Sequence, residues 1–473
     1  MKTIILSIFC FLIALTVSAQ SVQQRKTDSI FKLVAKYFDS KQADSIYALA
    51  GVEFRKALSQ VTFHYICENQ LFPLGIIKES SLISFVNDRD ATYKVVFASG
   101  TLQLQMNLDS KSKLYLFLFQ PYKKEVEDKL KRVPSTNPMK TLADRQVDSA
   151  IRPYIQKSNT VGLSIGILRN GIVTTYNYGE TKQGNTQLPD VNSIFEIGSI
   201  SKTFTATLLA YYVNEGKVGL KDSMTKYLPD SVASNKVLQN ITLEMLSNHT
   251  SGLPRLPDNL ENHSLDALDP YKDYNQKDLF DYLKTCKLNS IPGEKYAYSN
   301  LGVGLLGAIL EQVSGKSYQQ MVEEIICKPL GMNSTAQYLT PAEKTHFVTV
   351  YNDQGKETSP WTFDILAPCG ALRSTVTDLL TYARANFTPS DSKLSKAIQL
   401  THQVTFSNKD LKLGLGWHLI KIAGVEYYFH NGGTFGCSSF LVFNPDKKMA
   451  LVVLSNSGES VDKAGADIVK RLQ

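Results

Sequence analysis

The chain has 473 residues, 43% of them hydrophobic, which is long for one domain and ample for a large core. Its charged content of 20% and formal charge of +7 are spread out, with no dense Lys/Arg block interleaved with aromatics. Nucleic acid is therefore excluded as the default partner.

The first segment, MKTIILSIFCFLIALTVSAQ, has Lys2, an apolar run from Ile4 to Val17, and then Val17-Ser18-Ala19. Small residues at −3 and −1 predict a secretory signal at 1–19, cut after Ala19. The mature chain is then secreted or periplasmic and meets the membrane only in transit. The run is short for a span of ~20 residues. Cys10 lacks the small residues that would precede a lipidated cysteine. Cys67, Cys286, Cys327, Cys369 and Cys437 remain, odd in number and without a CxxC pair. Neither a disulfide framework nor a zinc cage is expected.

Residues 20–124 read as a small α+β unit. Thr27 to Ala50 has apolar residues at helical spacing, and Val52 to Cys67 continues in helix. LQLQMNL, Leu102 to Leu108, alternates at period two, and KLYLFLF, Lys113 to Phe119, is apolar on both faces. Asp109-Ser110-Lys111-Ser112 turns between them. A helix pair followed by an antiparallel meander suffices for a domain. His64 and Glu68, at i and i+4, read as a partly exposed pair rather than a metal site. The stretch KKEVEDKLKRVPSTNP, Lys123 to Pro138, places an inter-domain linker at 125–140.

Residues 141–473 form the larger domain. GLSIGILRNGIVTTYNYG, Gly162 to Gly179, predicts a hairpin around Asn170-Gly171. Strands are also expected at Trp417 to Ile422, Val425 to His430, Phe440 to Phe443 and Met449 to Leu454. Between the two strand groups Lys202 to Asn214, Leu301 to Val313 and Tyr318 to Ile326 read as helices. A sheet built from both ends of the domain, beside a helical insertion, follows.

EIGSISKTFTA, Glu196 to Ala206, lacks the glycine that a phosphate loop needs before its lysine. Read as Ser-x-x-Lys, Ser199 and Lys202 share a helical face while Ser201 points away. A serine hydroxyl needs a neighbour to take its proton before it attacks. The same spacing recurs at Ser29/Lys32, Ser110/Lys113, Ser223/Lys226 and Ser460/Lys463, so company must decide. Tyr298 and Asn300 share a side of an extended loop before an apolar helix. Cations beside a tyrosine favour its phenolate, which can act as a base. HNGGTFG, His430 to Gly436, ends a strand with glycines that admit a ligand close to the backbone. A backbone N–H there can complete an oxyanion hole with that of Ser199.

Ser199-x-x-Lys202, Tyr298-x-Asn300 and His430-x-Gly432 together match the three signature motifs of the penicillin-recognising serine hydrolases. The chain resembles their class C β-lactamase-like branch, which has DD-peptidase and esterase relatives. The likeness runs from about Leu142 to Leu472 and includes GKVGLKDSMTKYLP, ITLEMLSNHTSGLP, PGEKYAYSNLGVGLLG, KPLGMNST and GLGW. It implies an α+β fold of the β-lactamase/transpeptidase type: an antiparallel sheet with flanking helices plus a helical subdomain. It implies Ser199 as the acylated nucleophile, assisted by Lys202, and Tyr298 as the base that returns the proton to the leaving group. The division of proton transfer between Lys202 and Tyr298 stays open. Asn300 would contact the substrate amide, and the N–H of Gly433, beside Gly432, would be the second oxyanion donor.

His430 stands where true β-lactamases have the lysine of Lys-Thr-Gly. A histidine is charged only part of the time near neutral pH. It argues against efficient β-lactam hydrolysis, and affinity for an anionic substrate should weaken as pH rises through its pKa. His249, in LSNHTSG, reads as structural. The N-terminal unit is similar, through LFLFQPY, to the cone-shaped domains of the nuclear-transport-factor-like superfamily. The expected function is a secreted or periplasmic serine hydrolase of cell-wall or other D-amino-acid peptides, or of small esters. Peptidoglycan is a candidate partner, and no metal or organic cofactor is implied. The alternative is a penicillin-binding-like protein that holds cell-wall material without turnover.

Overall fold

A computed structural model describes residues 22–86, 89–122, 133–260, 266 and 268–473. The predicted signal and residues 125–132 of the linker lie outside the described residues. The chain divides into two compact units, Met1–Glu127 and Asp128–Gln473.

In the first unit, α1 (Val22–Asp39) buries Thr27, Phe31, Val34 and Phe38 along one face. The helix expected to run on to Ala50 breaks at Lys41, whose φ is 54°, and resumes as α2 (Ala43–Ala48). α3 (Val52–Ala57) and α4 (Gln60–Ile66) divide the next predicted helix, with Ser59 capping the second through the N–H of Thr62. Four antiparallel strands follow in the order β1-β2-β3-β4: Ile77–Val86, Asp90–Phe97, Thr101–Leu108 and Leu114–Pro121. The second alternates half-buried and buried residues, so one face meets the helices, where Phe31 stacks on Tyr93 at 4.0 Å. His64 bonds Asp44 at 3.4 Å on the surface, and the described residues hold no metal-binding cluster.

The second unit carries an eight-stranded antiparallel sheet, ordered β6-β5-β14-β13-β12-β11-β10-β9. β5 (Gly162–Arg169) and β6 (Ile172–Gly179) form the predicted hairpin, with Asn170 and Gly171 both at positive φ, 50° and 82°. A short pair, β7 (Phe195–Glu196) with β8 (Arg373–Ser374), stands apart. The remaining strands are β9 (Phe406–Ser407), β10 (Lys412–Leu413), β11 (His418–Ile422), β12 (Val425–Gly433), β13 (Ser438–Asn444) and β14 (Met449–Ser455). β14 pairs with β5, Val453 opposite Ile165, which joins the two ends of the domain.

β13 and β14 are buried throughout because both sheet faces are covered. Phe440 and Val442 pack with Val147 and Ile151 of α5 (Leu142–Ile155) and with Ile468 of the last helix. Leu441 and Phe443, on the opposite face, join the core shared with Leu379, Leu380 and the helical insertion. α6 (Ser201–Asn214) is buried on nearly every side, as befits the central helix of that core. The helix predicted over Tyr318 to Ile326 begins at Tyr318 and widens into a π-turn at Val322–Cys327.

Candidate active site

The chain leaves β7, makes one 3-10 turn at Gly198–Ile200, and enters α6. Ser199 therefore precedes the α-helix. In a 3-10 turn residues i and i+3 eclipse, which brings Ser199 and Lys202 together more directly than α-geometry would. Lys202 is 1% exposed, and its Nζ donates to Ser199 Oγ at 2.9 Å and to the Cys369 carbonyl at 2.6 Å. Ser199 itself is half-buried.

Ser201, which points away from that pair, has a structural bond of its own. It is fully buried, and its Oγ accepts from the N–H of Leu372 at 3.1 Å. We expect Ser201→Ala to keep the chemistry but lose about 1–3 kcal/mol of stability, the cost of orphaning that buried donor. Urea denaturation beside turnover assays checks both halves.

Tyr298 lies in the loop before the helix Asn300–Ser314 and is half-buried. Its ring has Lys202 Nζ 4.9 Å and Arg255 Cζ 5.1 Å from the centroid, and the His249 ring at 4.3 Å. Asn300 is not in the extended segment. It is the first residue of the helix, which Ser299 caps through the N–H of Gly302 at 2.9 Å. Asn300 Nδ2 donates to the Tyr271 hydroxyl at 2.9 Å, while its buried Oδ1 has no partner among the described residues. His249 holds this loop as the sequence suggested. Its carbonyl accepts from Ala297 N at 2.8 Å and its Nδ1 from Ser299 N at 3.2 Å, on either side of Tyr298.

His430 and Gly432 sit near the end of β12, against the Gly198–Ile200 turn. A Cβ built on Gly432 would stand 2.0 Å from the Ile197 carbonyl oxygen and 2.8 Å from Ser199 N. The same Ile197 oxygen accepts from Ser439 Oγ of β13 at 2.8 Å. A Cβ on Gly198 would stand 2.7 Å from Gly433 N. The backbones of turn and strand thus touch where no side chain fits.

The expectation of a part-time cation at His430 needs correcting. The ring is 1% exposed, and Nδ1 donates to the Asn431 carbonyl at 2.6 Å, leaving Nε2 an acceptor with no partner among the described residues. Burial, with His418 and Lys202 nearby, holds its pKa well below the ordinary value. His430 is neutral at physiological pH. Burial also pushes His402 and His418 down to about 4. The unfolded chain takes these protons near pH 6.5 and the folded chain only near 4, so the histidines' contribution to stability is lost as pH falls through that window. An NMR titration of the ring carbons is expected to show both neutral at pH 6 and half-protonated near pH 4; midpoints above 6 would contradict the burial.

Sequence reasoning passed over Glu196 although it opens EIGSISK. Its buried carboxylate accepts from Trp361 N and from Thr434 Oγ1, both at 2.7 Å, with Arg373 at 3.7 Å. Burial raises its pKa. It fastens the strand before Ser199 to the residue after Gly433. The visible signal was an acid inside an apolar strand.

The Beta-lactamase family model matches residues 147–473. A beta-lactamase of Pseudomonas fluorescens is 30% identical over 277 residues, covering 58% of this chain and 73% of that protein. The D-alanyl-D-alanine-carboxypeptidase/endopeptidase AmpH of Escherichia coli (strain K12) is 28% identical, covering 63% of this chain and 80% of its own. Among solved structures, a class C beta-lactamase superposes with a TM-score of 0.63 at 26% identity, over 70% of this chain and 96% of that one.

Proposed function

This chain belongs to the beta-lactamase family of serine hydrolases, and from that premise we propose that it acts through an acyl-enzyme on Ser199. The observation that carries the reading is Lys202 Nζ at 2.9 Å from Ser199 Oγ, its other bond going to a backbone carbonyl. The Ser199 proton passes to Tyr298, directly or through Lys202, as Oγ attacks the substrate carbonyl. The N–H groups of Ser199 and Gly433 receive the oxyanion. Collapse breaks the bond to the leaving group, which takes the proton from Tyr298. Water then attacks the acyl-enzyme and regenerates Ser199. Asn300 Oδ1, unpartnered among the described residues, accepts from a substrate amide N–H. No metal or organic cofactor enters these steps.

The substrates we propose are D-amino-acid or cell-wall peptides and small esters, in line with the name of the AmpH relative. Peptidoglycan is the corresponding partner, reached after export under the 1–19 signal to the periplasm or beyond. The neutral His430 is a poor substitute for a permanent cation, so turnover of β-lactams is expected to be slow. For the same reason affinity for an anionic substrate is expected to stay flat from pH 6 to 8; a fall across that range would restore a charged His430.

Mass spectrometry after treatment with a fluorophosphonate tests the reading. An adduct on Ser199 is expected, and a folded protein without one would instead be a non-catalytic binder. A panel of chromogenic cephalosporin, p-nitrophenyl ester, D-alanyl-D-alanine peptide and D-amino-acid amide then ranks the substrates.

A further inference from the structure

Lys202 is buried and spent on Ser199 and Cys369, and burial holds His249, His418 and His430 neutral. Arg255 is different. It is exposed and, among the described residues, has no carboxylate partner. Its guanidinium carbon lies 5.1 Å from the centroid of the Tyr298 ring.

Its place is fixed by the site's own backbone. The Arg255 carbonyl accepts from Asn300 N at 2.9 Å and from Leu301 N at 3.1 Å. The preceding carbonyl, of Pro254, accepts from Ser299 Oγ at 2.6 Å. Arg255 is thus pinned to the Tyr298-x-Asn300 segment on both sides. Its charge is also felt by Tyr271, Tyr296 and Cys369, drawn from three different segments around the cleft.

We propose that Arg255 is the anion anchor of this site and selects acyl donors that carry a carboxylate on the acyl half. The assignment rests on the acyl-enzyme reading above, in which Asn300 accepts from a substrate amide N–H; it adds that this amide belongs to the acyl half, beside Arg255, whose carbonyl holds the Asn300 N–H. A guanidinium presents paired N–H donors that match a carboxylate and stays charged at every working pH. Acidic peptides are the natural class of such donors.

The test compares p-nitrophenyl butyrate with the mono-p-nitrophenyl ester of glutaric acid, which share a leaving group and differ in the acyl carboxylate. Hydrolysis by Ser199→Ala is subtracted as background. Wild type is expected to favour the hemiester, less so at high salt. Arg255→Gln is expected to lower kcat/KM for the hemiester about 10–100-fold more than for the butyrate, the scale of one hydrogen bond to a charged group. Arg255→Lys should recover part of that difference, and fluorophosphonate labelling of each variant reports an intact site. Equal losses on both esters would make Arg255 a support for the Tyr298 ring and overturn the inference. So would equal wild-type turnover of the two esters, or no effect of Arg255→Gln. A wild type that hydrolyses neither ester and takes no label would overturn the acyl-enzyme reading itself.

Discussion

Ser199→Ala is expected to cut turnover by about four to six orders of magnitude, the scale seen when a serine hydrolase loses its nucleophile. The fluorophosphonate adduct should vanish with it. Stability should move by less than about 1 kcal/mol, because Ser199 is half-buried and Lys202 keeps its bond to Cys369. The contrast with Ser201→Ala is the informative part. One serine is expected to carry chemistry with little structure, and the other, which holds Leu372, to carry structure without chemistry. Turnover above a tenth of wild type in Ser199→Ala would mean that another group is the nucleophile.

Gly432→Ala is the second large effect. The added methyl would meet the Ile197 oxygen at 2.0 Å, Ser439 Oγ at 2.5 Å and Ser199 N at 2.8 Å. Two of these are backbone atoms and cannot swing aside, so turn and strand must separate. Displacing reacting groups by about 1 Å costs on the order of 100-fold in rate. Overpacking of this kind costs about 1–3 kcal/mol in stability. Gly433→Ala is the control. A Cβ there meets only the Cys437 oxygen at 3.9 Å, and alanine keeps the backbone N–H. Its loss of kcat/KM is expected to be at least tenfold smaller. Equal losses in the two variants would show that space at Gly432 is not what the motif protects.

Much of this fold was legible because local rules were obeyed. Asn170-Gly171 announced its hairpin, and the apolar C-terminal runs became strands within a few residues of their expected ends. Of the three motifs, Ser199, Lys202, Tyr298 and Gly432 come together in the fold. The misreadings arose where tertiary contacts outvote local pattern. Nothing local breaks the helix at Lys41 or marks β1, none of whose residues is fully buried. His430 looked like a part-time cation because sequence shows residue type and not burial. Arg255 and Glu196 stayed hidden for the same reason: their partners lie far along the chain. Glu196 reaches Thr434 across 238 positions.

That separation sets the timing of reactivity. Ile197 and Ser439 meet across 242 positions, and β5 is buried only once β14 lies beside it. Ser199 therefore leaves the ribosome long before the strands that frame it. Contacts so distant in sequence make for slow folding. A growing or truncated chain that ends before β12 carries the serine but lacks the backbone against which its turn is set. A chain that stops short of β12 is therefore expected to take no fluorophosphonate label, so unfinished copies would keep their serine unspent.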